Sequence, residues 1–202
     1  MVDEPGNATT PRAYRMRKRN EDIANTRRRI TEAAVQLHGT VGPAQTTFSA
    51  VAELAGVQRS TVYRHFADEE ALFGACTSHW LAQNPWPRVE DWKAIGDPRE
   101  RLEFGLGQLY RYFERNEQML ANSFRDIEVM PAFVAELMRS QVEALRDALL
   151  KPWQTAGADP GSVAAALAMA IDFRAWQAMR DAGWAPGEAA ANMTTMVGAL
   201  TR

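Results

Sequence analysis

Between Arg59 and His65, six side chains in seven can form hydrogen bonds: Arg59, Ser60, Thr61, Tyr63, Arg64 and His65. An arginine can pair bidentately with a guanine edge, serine and threonine hydroxyls can bond to bases, and a threonine methyl can meet the methyl of thymine. Tyrosine and histidine can donate to phosphate oxygens and so fix register without reading sequence. The set has the chemistry of a nucleic-acid groove. A solvated surface helix is the alternative use of the same residues.

Such a row needs a rigid element behind it. Val57, Val62 and Phe66 give the stretch from about Gln58 to His65 an apolar side, so it reads as a very short helix. Before it, Phe48, Val51, Ala52 and Ala55 mark another helix, capped by the hydroxyl of Thr47 and stopped at Gly56, a residue suited to the left-handed turn. Two helices joined by a tight glycine turn form a helix-turn-helix. Upstream, Ile30, Ala33, Ala34, Leu37, His38 and Val41 recur at helical spacing from Asn25 to the Gly42-Pro43 stop. Arg27, Arg28 and Arg29 then fall on a first turn, where the helix dipole disfavours cations, which suggests another use for them, with plain solvation the alternative. Residues 1–22 lack an apolar period and read as a flexible tail, with Arg12, Arg15, Arg17, Lys18 and Arg19 clustered within it.

Downstream of Asp68 every segment reads helical: about 68–83, 98–115, 117–128, 131–155, 160–182 and 187–201. The expected fold is all-α. Charge divides along the chain: residues 1–66 hold 10 Lys/Arg against 6 Asp/Glu and residues 67–202 hold 13 against 19, giving the net −2. A basic first third on an acidic remainder suggests that only the first third meets a polyanion. A lone cysteine, Cys76, excludes an internal disulfide framework, and no apolar run suits a membrane span, so a cytoplasmic protein is expected. His38, His65 and His79 fall at no metal-ligand spacing, and P-loop, dinucleotide-binding and GxSxG patterns are absent. No cofactor, metal site or catalytic residue is expected.

The stretch "TTFSAVAELAGVQRSTVYRHFADEEALF" resembles the DNA-binding domain of the tetracycline-repressor (TetR) family of bacterial transcription regulators. The likeness rests on Thr47, Ala52, the Ala55-Gly56-Val57 turn, Thr61, Tyr63, Phe66 and Leu72-Phe73, and it covers about residues 25–75. It implies that Thr47 contacts phosphate and Ser49 reaches a base edge. By the same resemblance Arg59, Ser60 and Thr61 read bases, Tyr63 and His65 hold phosphates, and Arg64 does either. The family usually has a lysine where Glu69 stands here. A carboxylate repels phosphate, so the basic cluster from Arg12 to Arg19 is the expected substitute for that anchor.

The resemblance also implies three regions: the tail at 1–22, the DNA-binding domain at 23–73, and a ligand-binding and dimerisation domain at 74–202. All six tryptophans lie in the last of these. Its expected pocket lining is Trp80, Tyr110, Phe113, Phe124, Phe173 and Trp176. The final two helices, rich in Ala, Gly, Met and Thr, suit close pairing with a second copy. The expected function is a homodimeric repressor released from a palindromic double-stranded DNA operator by a small apolar or amphipathic ligand. A DNA-binding protein that answers to no ligand, or a small helical enzyme, are the rival readings.

Overall fold

In the computed structural model, residues 11–155 and 159–200 are described, and they form helices joined by turns. The first helix, α1, spans Pro11–Thr40. Residues 11–22 are therefore helical, not tail; residues 1–10 of the expected tail lie outside the described residues. The reason is local. After Pro11, a favoured first helical residue, the segment is rich in Arg, which forms helix readily, and carries no Gly or second Pro.

Helix α2 (Phe48–Ala55) starts at Thr47, whose hydroxyl accepts from the Ala50 amide at 3.1 Å, and ends at Gly56 in the left-handed region, φ 64°. Only glycine takes that conformation at little cost, and the chain turns at once into α3 (Arg59–His65). Ile30, Ala34, Val51, Val62 and Phe66 close the core of this first unit, together with Leu72 and Cys76 of α4 (Glu69–Gln83). Trp80, at the far end of α4, packs instead against the second core, so α4 runs across the expected boundary at residue 73.

The second unit contains α5 (Val89–Lys93), α6 (Pro98–Arg115), α7 (Glu117–Arg125), α8 (Ala132–Thr155), α9 (Pro160–Ala170), α10 (Phe173–Asp181) and α11 (Pro186–Ala199). Helix α5 has no counterpart in the sequence expectation. Its Trp92 is fully buried and donates from Nε1 to Gln108 Oε1 at 2.9 Å, and it packs close against Gly105. The segment expected as one helix over 160–182 is two. Asp172 interrupts it and caps α10, accepting from the Ala175 amide at 2.9 Å.

Candidate nucleic-acid interface

Arg59, Ser60, Tyr63 and Arg64 are exposed on α3, while Thr61 and His65 are half-buried. Val62 and Phe66, both in the core, hold the helix down from its other side. Arg59 donates from Nη2 to the Tyr63 hydroxyl at 3.0 Å and lies over its ring, and that ring rests on Phe48, centroids 4.8 Å apart. The guanidinium is thereby held near the protein surface with donors still free. Thr47, Ser49, Arg59 and Tyr63 line one groove, so the structure brings together expected contacts from both helices. Thr47 accepts at the cap and keeps its own hydroxyl proton for another partner. Glu69 borders the same groove on the first turn of α4, where a carboxylate suits the helix dipole.

Arg27 and Arg29 do not lie on a first turn; they sit in the body of α1. Arg27 donates from Nη1 to the His65 carbonyl and stacks its guanidinium 4.0 Å from the Phe66 ring centre. Arg29 donates from Nη2 to the carbonyls of Ala55 and Gly56. Each cation thus meets the negative end of a helix, α3 and α2 respectively, and satisfies carbonyls that helix termini leave unpaired. These two arginines tie the ends of α2 and α3 to α1. Burial lowers the pKa of His65, with Arg64 and Arg27 adding to the shift, so its ring is neutral near pH 7.

A second feature lies where the two units meet. A cavity of about 80 Å³ is bounded by α1 and α4 on one side and by α7 and α8 on the other. His38, Phe73, Cys76 and Trp80 contribute from the first side, and Met119, Ser123 and Met138 from the second. None of its lining residues is Lys, Arg, Asp or Glu. His38 stacks on Phe73 with centroids 4.8 Å apart, and burial drives its pKa down to about 4, leaving a neutral ring. Burial likewise pushes the Cys76 thiol up to about 12.

Of the six expected lining residues only Trp80 reaches this cavity. Tyr110, Phe113, Phe173 and Trp176 are buried in the second core, where Phe113, Phe173 and Trp176 pack ring against ring. The Tyr110 hydroxyl is bound to the Ala170 carbonyl at 2.7 Å, and half-buried Phe124 stacks on Phe173. Aromatic rings pack best on one another, and that satisfies these five without a ligand.

Beside the cavity, α7 grips the end of α1. Buried Asn122 donates from Nδ2 to the carbonyls of His38 and Gly39, each at 3.0 Å, and Arg125 donates from Nη2 to that of Val41 at 3.0 Å. Asp126, ion-paired with Arg125 Nε at 2.8 Å, accepts from the Ala44 amide at 3.1 Å. Hydrogen bonding from Arg125 holds its carboxyl below the usual range. Sequence reasoning missed this clasp, which joins residues more than 80 positions apart.

The family model of the bacterial regulatory proteins of the tetR family matches residues 30–76. Residues 30–76, which hold the end of α1, α2, α3 and the first half of α4, are thus similar to the tetR-family domain. That match supports a DNA-binding regulator of transcription. Whole-chain similarity extends to solved structures, among them a TetR-family regulator and a TetR-like one. PfmR from Thermus thermophilus shares 19% identity over 83% of this chain and 96% of its own, with a TM-score of 0.62. A regulator from Rhodococcus sp. RHA1 shares 19% over 86% and 93%, at 0.59. A Clostridium perfringens protein proposed to regulate fatty acid metabolism shares 20% over 84% and 96%, at 0.60. At these identities the likeness establishes the tetR-like fold of the second unit. No curated protein matches the chain. Among the described residues no helix is long and apolar enough to cross a membrane.

Proposed function

We propose that this tetR-family regulator is a non-enzymatic, cytoplasmic homodimeric repressor that leaves a palindromic operator when a small apolar or amphipathic molecule fills the cavity. The cavity carries this reading, because the helices that line it are also those that hold the DNA-binding unit. Met119, Leu120 and Ser123 of α7 face the cavity, while Asn122 and Arg125 of the same helix grip the end of α1. A displacement of α7 by a ligand is transmitted to α1, and through Arg27 and Arg29 to both DNA-facing helices. The uncharged lining favours an apolar effector, and a link to fatty acid metabolism in one structural neighbour fits that chemistry. Small-molecule sites usually enclose about 300–1,000 Å³, so the cavity must open; Met119, Met130 and Met138 are flexible enough to move aside.

Arg59, Ser60 and Thr61 read bases, with Ser49 reaching a base edge from α2, whereas Thr47, Tyr63 and His65 hold phosphates and Arg64 serves either role. A recognition helix of seven residues spans few base pairs, which calls for a symmetric partner. The outer side of α9 and α11 supports pairing there: Met169 is 65% exposed and Met196 54%, with Leu200 just beyond α11. Selection of tight-binding duplexes from a random pool, with sedimentation of the protein alone and on DNA, tests the reading. It expects an inverted repeat bound by two protomers. A monomer in both states, or a pool without a preferred sequence, would contradict it.

A further inference from the structure

Helix α1 begins well before the DNA-binding unit needs it. Its first residue in the buried core is Ile30, so the turns from Pro11 to about Asp22 support no packing, and their described side chains are exposed. Such an extension is marginal as an isolated helix and has a charged side to offer. At 1.5 Å per residue it projects roughly 18 Å, about the length of five base pairs.

Its charges are ordered. Arg12, Arg15 and Arg19 are spaced three and four residues apart and share one face. The same face continues through Ile23 and Thr26, and it meets the recognition helix there: Arg19, Ile23 and Thr26 line a groove with Arg64 and His65. Arg17 lies on another side and is paired with Glu21 at 3.7 Å. Asp22 is the acidic member of the groove. The arm's direction is set by the Arg27 bond to the His65 carbonyl, which ties α1 to the end of α3.

We propose that the N-terminal turns of α1 form a DNA-binding arm, in which Arg12, Arg15 and Arg19 contact phosphates flanking the bases that α3 reads. The inference rests on the DNA-binding reading of α3. The occupant is double-stranded DNA because the stripe is cationic and its inner end shares a groove with Arg64 and His65 of the recognition helix. Exposed Met16 and Ile23 lie on the same side but about two turns apart, so they form no continuous apolar patch for a protein partner to cover. The arm supplies cationic contacts that offset Glu69 at the start of α4. The operator therefore extends beyond the bases read by α2 and α3.

The experiment compares three proteins on one fluorescent duplex of about 40 base pairs, by anisotropy over a salt series. They are the wild type, the triple variant Arg12→Gln/Arg15→Gln/Arg19→Gln, and a control, Lys93→Gln/Arg139→Gln/Lys151→Gln, with the same net charge but changes in the second unit. Circular dichroism checks that the variants keep their helices. The arm variant is expected to bind more weakly, with a plot of log affinity against log salt shallower by about 2.7 for each arm engaged. The control is expected to keep the wild-type slope. If the arm variant and the control share one slope, the arm does not touch DNA and the proposal is overturned. If the wild type itself fails to bind duplex DNA, the failure belongs to the DNA-binding reading, and the arm falls with it.

Discussion

Acid should loosen this protein, with His38 the largest histidine contribution. His38 is 7% exposed, and burial lowers its pKa from 6.5 to about 4. Below pH 6.5 the unfolded chain takes up a proton there that the native state excludes, so stability falls as pH drops from about 6.5 towards 4. Above that window the residue contributes no pH dependence. Linkage gives a loss of about 1.4 kcal/mol at pH 5.5 relative to pH 8, and about 2 kcal/mol at pH 5, approaching a limit of roughly 3.4 kcal/mol. The assay is urea denaturation at a series of pH values, on wild type and on His38→Phe. The variant retains an aromatic partner for Phe73 and removes the titration. Subtracting the two curves isolates His38 from the half-buried His65 and the remaining groups. Should the two proteins lose stability in parallel across this window, the neutral, desolvated state assigned to His38 is refuted.

The DNA surface and the clasp give two further expectations. Arg59→Ala should cost roughly 1–3 kcal/mol on the preferred site and relax selection at particular base positions, as the loss of a bidentate contact does; competition against base-substituted duplexes reads this directly. An unchanged preference would remove Arg59 from the base-reading set. Gly42 has φ 99° and ψ 160°, a region closed to other residues, and a Cβ there would collide with Arg125 and Asp126. Gly42→Ala should therefore destabilise the protein by about 1–3 kcal/mol in denaturant titration, and a neutral result would show that the clasp is not rigid.

What the sequence made legible was local. The Thr47 cap, the Gly56 turn and the short apolar side of α3 are decided within a few residues, and the side chains of Arg59 to His65 needed only that frame to be placed. The break at Ile171–Asp172 was less visible, because apolar periodicity continues on both sides and only the capping aspartate signals it. The cavity was not legible. Its lining comes from four helices distant in the chain, and the conspicuous aromatics, Phe113, Phe173 and Trp176, satisfy one another in the core instead. Aliphatic side chains and methionines, individually uninformative, surround the space that remains together with Phe73, Trp80 and Trp86. In the sequence Arg27 and Arg29 stand out only by charge, yet their contacts span 38 and 26 residues.

In the proposed function, occupancy of the cavity and occupancy of DNA oppose each other. A ligand found by thermal-shift screening of small apolar and amphipathic molecules, shown to need the cavity by its loss of binding to Ser123→Trp, provides the probe. Its affinity is then measured by calorimetry with and without the selected operator duplex. Coupling between sites is reciprocal and typically about 5–150-fold, so the duplex should weaken ligand binding by the same factor as the ligand weakens binding of the duplex. Equal ligand affinities with and without operator would contradict the account.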